Sequence, residues 1–344
     1  MNSVAKGVLG TWGKILTGHV PLLSIEVTRE CPLHCPGCYA YNEEHLPGGL
    51  LLRQLNDKRN DDLVNGVMRL VEFHKPLHVS LVGGEPLVRH KELSRIIPQL
   101  SAKGIHTLVV TSGVIPIPME WMSIPRLRVA VSVDGLPEHH DIRRKPATYD
   151  RILKNIEGRS INVALTITRQ MTARESYFED YVQFWSARPE VDRIWVSIYT
   201  PQIGEHSEEI LLPEERSSVL ALMPRLMLRY PKLLGRKDIM NAYAEPPRNP
   251  KECTFAQMST NYSADLKTRV QPCIFGGNPD CSQCGCLISG AATMFSNMVA
   301  IKPLTLGHIA RGSIRIGTAV NKVLRKEHHP DRWDAEPAAK KQAA

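Results

Sequence analysis

The sequence predicts an α/β fold: a partial (β/α)6 barrel followed by a small, irregular, cysteine-rich extension. Three observations carry that prediction. Strand-like apolar runs alternate with segments of helical periodicity from residue 20 to residue 232, the signature of parallel β-then-α units. The eight cysteines form two groups, Cys31, Cys35 and Cys38 near the start and Cys253, Cys273, Cys281, Cys284 and Cys286 near the end. Before the second group stands Glu245-Pro246-Pro247-Arg248-Asn249-Pro250, a proline-rich stretch that cannot continue a helix.

Each element follows from its residues. Residues 1–19 read as an amphipathic helix, with Val4, Val8, Trp12, Ile15 and Leu16 on one face and Lys6 and Lys14 elsewhere. Packing across the barrel bottom is the expected use of that face. The alternative is a peripheral membrane contact through residues 4–16. Leu22 to Thr28 is the first strand, and Leu63, Val64, Val67, Met68, Leu70 and Val71 recur at helical spacing. Leu77 to Val82 is the second strand; Leu93, Ile96, Ile97 and Leu100 mark the second helix, and Thr107 to Val110 the third strand. Further strands are read over 127–133, 161–167 and 194–198. Thr172 and Glu175 read as a capping box before a helix carrying Tyr177, Tyr181, Val182 and Phe184. A last helix begins near Pro213, and Pro224 is expected to bend it. Six such units make residues 20–232 a TIM-like partial barrel, with functional residues expected at the C-terminal ends of the strands. Residues 233–250 read as a linker, 251–325 as the cysteine-rich extension, and 326–344 as a polar tail.

Composition narrows the function. With 42% hydrophobic and 23% charged residues, long disorder is excluded. No apolar run is long enough for a spanning helix, and the start has no signal-peptide pattern, so a cytoplasmic protein is expected. The net charge of +8 favours anionic partners. No interleaved basic and aromatic stretch accompanies it, so no clear nucleic-acid site is read. Clustered cysteines in a leaderless chain point to reduced thiols and metal rather than disulfides.

Cys31-Pro32-Leu33-His34-Cys35-Pro36-Gly37-Cys38 is a C-x3-C-x2-C loop directly after the first strand. Three thiolates on one loop hold three irons of a cubane and leave the fourth open to an outside ligand. The alternative is zinc, with His34 as fourth ligand. Gly83-Gly84-Glu85-Pro86 follows the second strand, where glycines allow close backbone approach; alone, it reads equally as a strand-exit turn.

The two motifs in this order resemble radical S-adenosylmethionine (radical SAM) enzymes over about residues 20–230. The resemblance implies a 4Fe–4S cluster on Cys31, Cys35 and Cys38, with the methionyl amine and carboxylate of S-adenosylmethionine on the open iron. It also implies that Gly83, Gly84, Glu85 and Pro86 form the amine-binding turn, with Glu85 accepting a charge-assisted hydrogen bond from that amine. Ser112, in Thr111-Ser112-Gly113, falls near the ribose, and Ser132, in Ser132-Val133-Asp134-Gly135, near the carboxylate or ribose. Arg169 is either a bidentate partner of the cofactor carboxylate or a solvated loop arginine. Relatives place an aromatic residue before the third cysteine to pack on adenine. Here Gly37 stands there and Tyr39 comes just after Cys38, so Tyr39 is the candidate. His140-Asp141-x-x-Arg144 also matches the family, with Asp141 and Arg144 expected to pair at a helix start.

The second cysteine group resembles the SPASM and twitch extensions of that family. Ala264 to Cys273 reads as a short hairpin ending at a thiolate. Five cysteines ligate one auxiliary 4Fe–4S cluster, assigned to Cys253, Cys273, Cys281 and Cys284 with Cys286 as alternate; a four-thiolate zinc knuckle is the other reading. The function implied is reductive cleavage of S-adenosylmethionine to a 5′-deoxyadenosyl radical and hydrogen abstraction from an unactivated C–H bond, with flavodoxin or ferredoxin as low-potential donor. The substrate class is a peptide or small metabolite, or alternatively a membrane lipid or isoprenoid precursor. The competing class is a non-catalytic iron–sulfur or zinc protein, which has no need of an amine-binding turn. Ser197, Tyr199 and Gln202 sit where substrate contacts are expected, but no catalytic residue is assigned.

Overall fold

The computed structural model describes residues 12–13, 15–19, 21–235, 237–301 and 304–325. Most of the N-terminal amphipathic helix and the whole polar tail expected over 326–344 lie outside the described residues.

A seven-stranded sheet runs in the order β6-β5-β4-β3-β2-β1-β7. Its strands are β1 (Leu22–Glu26), β2 (His78–Val82), β3 (His106–Thr111), β4 (Leu127–Ser132), β5 (Ile161–Ile167), β6 (Val191–Ile198) and β7 (Ser259–Tyr262). Every neighbouring pair is parallel. The intervening helices are α1 (Asn60–His74), α2 (His90–Ala102), α3 (Pro137–Arg143), α4 (Tyr149–Ile156) and α5 (Tyr177–Ser186). After β6 come α6 (Pro213–Arg229), α7 (Lys237–Ala244), α8 (Thr254–Met258), α9 (Leu287–Asn297) and α10 (Leu306–Arg325). The sheet is open, a partial barrel. Both of its edges are covered by the chain's own backbone, β6 by a bridge to Leu233 and β7 by a bridge to Arg269, which keeps unpaired strand groups from recruiting another chain.

Strand residues alternate between two environments. Leu23, Ile25, Val79, Leu81, Val109, Val131 and Val163 are at most 1% exposed and pack in the same core as helix residues Leu63, Val67, Leu93, Ile96 and Ile152. The other face carries small residues: Val82, Val110, Ser132, Ala164, Thr166 and Ser197 are all half-buried. The registers Ser132↔Ala164 and Thr166↔Ser197 hold them side by side. Small side chains on this face leave room between the strand ends and the loops above them.

Three sequence expectations are corrected. The sheet gains β7, paired with β1 through Leu22↔Ser259 to Ile25↔Tyr262. Its residues Ser-Thr-Asn-Tyr give no apolar alternation, so pattern alone does not flag it. Thr172 does not cap α5; its hydroxyl donates to the Arg169 carbonyl at 2.7 Å within a 3-10 turn, and α5 begins at Tyr177 after Ser176. The segment 233–250 contains α7, whose buried Tyr243 donates its hydroxyl to the Val196 carbonyl at 2.6 Å.

Candidate active site

Cys31, Cys35 and Cys38 lie half-buried on the loop leaving β1. That loop is tied by backbone to the turn leaving β2. Gly84 N donates to the Thr28 carbonyl at 2.9 Å, and Glu85 N to the Glu30 carbonyl at 2.7 Å. Gly83 holds φ 131°, a region open to glycine. A Cβ on Gly84 would collide with the Glu30 carbonyl. The seam thus requires both glycines, and it fixes the turn one residue from Cys31. A second tie runs from the helical turn Pro86–Arg89: Arg89 Nη2 donates to Asp57 Oδ2 at 2.9 Å, and Thr28 Oγ1 donates to the same oxygen at 2.8 Å.

On its far side the cysteine loop rests on α3 and on the loop after β6. Arg143 Nη2 donates to the Pro36 carbonyl at 3.0 Å. Gly37 has φ 60°, and a Cβ there would stand 2.5 Å from Tyr199 Oη and 2.6 Å from Glu209 Oε2. Arg143 and Arg144 both bind Asp134 Oδ2, at 2.6 and 2.5 Å, while Thr166 N donates to Asp134 Oδ1 at 3.0 Å. Burial opposes ionisation of Asp134, but the charges of Arg144 and Arg143 hold its carboxyl down at about 2. Burial pushes the Cys31 thiol up to about 11. It raises Cys35 as well, against the pull of Arg144 and Arg143.

The structure reassigns several residues. The Glu85 carboxylate is full: Oε1 accepts from Leu87 N (2.9 Å) and Thr111 Oγ1 (2.6 Å), and Oε2 from Ser112 N (2.8 Å) and Ser112 Oγ (2.5 Å). Its lone pairs hold the turn to the end of β3, leaving none for an amine, and Ser112 gives Glu85 its only hydroxyl proton. Asp141 and Arg144 do not pair; Asp141 Oδ1 accepts from Tyr149 N at 2.8 Å, at the start of α4, and Arg144 turns to Asp134. Arg169 points outward, 46% exposed and 3.1 Å from Glu215 Oε1. Tyr39 packs edge-on against Phe275 with ring centroids 5.5 Å apart, on the side of the C-terminal segment. Pro86 is buried beneath the turn, and Ser132 ends β4 on the small-residue face. Sequence reasoning missed Asp134, Arg143 and Glu209. Asp134 lay in plain view in the Ser132–Gly135 stretch, but only the fold brings Glu209 across.

The second cysteine group surrounds a separate small cavity of about 20 Å³, lined by all five thiols together with Phe255, Phe275 and Ser289. Cys253 stands at the N-cap of α8 and Cys286 at the N-cap of α9. Arg216 secures the turn just before Cys286, donating from Nη2 to the Cys284 carbonyl at 2.8 Å and from Nη1 to the Gln283 carbonyl at 3.1 Å. Burial pushes Cys281 and Cys286 each up to about 12. All eight cysteines are free thiols. Among the described residues, no three His, Cys, Asp or Glu side chains are gathered tightly enough for a single metal ion. The two groups are joined through His45: Nε2 lies 2.7 Å from Glu26 Oε1 and Nδ1 2.9 Å from the Phe275 carbonyl.

Residues 25–168 match the family profile of the radical SAM superfamily. That span holds both the cysteine loop and the glycine turn, joined by the seam described above. Over these residues the chain is similar to the radical SAM superfamily. Proteins of that superfamily hold a SAM-binding 4Fe–4S cluster, and three half-buried thiols on one loop here are a fitting donor set for one. The chain is 28% identical, over 131 residues, to the 7-carboxy-7-deazaguanine synthase of Methanocaldococcus jannaschii; the match covers 36% of this chain and 51%, about half, of that protein. Its fold is similar to that of Streptococcus suis SuiB bound to precursor peptide SuiA (TM-score 0.51, 18% identity, 94% of this chain and 77% of SuiB). In another SuiB structure the match covers 62% of that chain. It is also similar to anSMEcpe with bound AdoMet and Cp18Cys peptide (TM-score 0.53, 13% identity, 88% of this chain and 99% of anSMEcpe). No helix among the described residues is long and apolar enough to cross a membrane.

Proposed function

We propose that this chain is a radical SAM enzyme acting on an unactivated C–H bond of a peptide, with a second, auxiliary 4Fe–4S cluster in its C-terminal cavity. The observation that carries the reading is the seam between the Gly83–Pro86 turn and residues 28–30, which sets an amine-sized backbone turn beside a three-cysteine loop. When bound, the cluster and S-adenosylmethionine supply a low-potential electron and the 5′-deoxyadenosyl radical that removes hydrogen.

The chain's own residues do the rest. Cys31, Cys35 and Cys38 would hold the cluster, and with the Cys31 thiol pushed up to about 11, binding iron would release its proton. The backbone of Gly83 and Gly84 would receive the cofactor amine, while Glu85 keeps the turn rigid. Arg144, next to Cys35 and bound to Asp134 through Nε, replaces Arg169 as the cation for the cofactor carboxylate. The small residues Val82, Val110, Ser132, Ala164, Thr166 and Ser197 leave space for the substrate group and exclude bulk water once it is filled.

For the second site, the number of thiols supports a cluster, since five line one cavity and a 4Fe–4S cluster takes four. Peptide as the substrate class is supported by the shared fold with SuiB and anSMEcpe, both seen with peptides. A flavodoxin or ferredoxin is the donor this chemistry calls for.

Anaerobic reconstitution with iron and sulfide, followed by dithionite and S-adenosylmethionine, tests the proposal. About eight irons per chain and release of 5′-deoxyadenosine are expected. The triple variant Cys31→Ala, Cys35→Ala, Cys38→Ala should stay folded and release none; continued release sinks the assignment. About four irons with cleavage intact would return the C-terminal thiols to zinc.

A further inference from the structure

We propose that the Arg143–Glu209 ion pair positions the Cys35–Cys38 arm of the first cysteine loop and tunes the reduction potential of the cluster held there. This rests on the function proposed above. Arg143 is a hub: Nε meets Glu209 Oε1 at 2.6 Å, Nη2 meets Glu209 Oε2 at 2.7 Å and the Pro36 carbonyl at 3.0 Å, and Nη1 meets Asp134 Oδ2 at 2.6 Å. The bidentate fork fixes the guanidinium plane, so the Pro36 carbonyl, between two cysteines, has a fixed donor. Glu209 Oε2 also closes the space over Gly37, so the same two residues hold the arm from both sides.

The charges on these residues make the tuning specific. Arg143, Arg144, Asp134 and Glu209 are 12%, 18%, 0% and 9% exposed, so solvent screens them weakly. Two cations and two anions cancel, and each lies within a few contacts of the cysteine arm. Removing Glu209's charge leaves the set at +1, which favours the reduced, more negative cluster. Removing Arg143's charge leaves it at −1, which disfavours reduction. Both changes break the same ion pair, so a purely structural role predicts shifts of one sign, while tuning predicts opposite signs.

The experiment is an EPR-monitored redox titration of the anaerobically reconstituted full chain without S-adenosylmethionine, with the triple cysteine variant identifying the first site's signal. Glu209→Gln should shift that midpoint upward and Arg143→Gln downward, and Arg143→Lys, which keeps the charge, should restore it toward wild type. If Arg143→Gln fails to hold iron, an upward shift in Glu209→Gln with Arg143→Lys near wild type supports tuning equally well. Shifts of one sign in both variants, or no shift in Glu209→Gln, overturn the proposal. A triple cysteine variant that retains all its iron would instead overturn the underlying function, a distinguishable failure.

Discussion

Arg143 and Arg144 are neighbours in sequence, yet each has a separate task. Arg143 is engaged by Glu209, Asp134 and Pro36, whereas Arg144 meets Asp134 through Nε and its charge pulls the Cys35 thiol down. Glu85 teaches the opposite lesson, because a motif residue expected to meet the ligand is fully engaged inside the protein. Its role is open to a stability measurement. Glu85→Gln keeps the shape but sets an NH2 group against donors from Ser112 or from Leu87 and Thr111. Such a mismatch costs about 1–3 kcal/mol, so urea denaturation should show a loss of that size. A neutral result would mean that the carboxylate is not bonded as described. The cysteine loop and the glycine turn were legible from residue type and spacing. Arg143 and Glu209 were not, because 66 positions separate them in the chain and nothing local marks either.

At the scale of elements, the strands and helices that alternate along the first two-thirds of the chain were legible because each buries an apolar stripe of the right period. β7 was not, since its residues are polar and its place is set by partners far away. Thr260, Asn261 and Ser263 are buried, and Ser263 donates to Glu26 on β1 while Glu26 also holds His45. Both His45 nitrogens face acceptors, Glu26 and the Phe275 carbonyl, so the ring carries both protons and a charge. Burial alone would lower its pKa, but the hydrogen bond and charge of Glu26 raise it. This couple locks the C-terminal cysteine segment onto the first loop. Glu26→Ala removes the acceptor of both His45 and Ser263 and lets the buried ring lose its charge, and the broken hydrogen bonds cost about 1–3 kcal/mol. Limited proteolysis should then cut first between residues 263 and 286. Unchanged cleavage there, in a folded variant, would show that the couple does not hold the segment.

For the molecule as a whole, buried titratable groups fix how stability depends on pH. His140 is fully buried; its Nδ1 accepts from Asp134 N at 3.0 Å and its Nε2 faces the Ala147 carbonyl at 2.8 Å, so the neutral ring fits. Burial, with Arg144 adding to it, lowers its pKa to about 4, and burial together with His106 lowers that of His78 to about 4. The unfolded chain takes up these protons near pH 6.5, and the folded chain only near pH 4. Stability is therefore lost as pH falls through that window, by up to about 1.4 kcal/mol per pH unit for each ring. Asp134, held at about 2, adds loss of the same sign at lower pH. His45 has the opposite sign: its raised pKa gives stability below its unfolded value that fades as pH rises through the folded one. The combined profile is a dome with its acid limb set by His78 and His140. His140→Gln keeps a donor and an acceptor without the titration, so urea midpoints between pH 6.5 and 4 should fall about half as steeply as in wild type. An unchanged acid slope in that variant would remove His140 from the account and place the whole limb on His78 and the carboxylates.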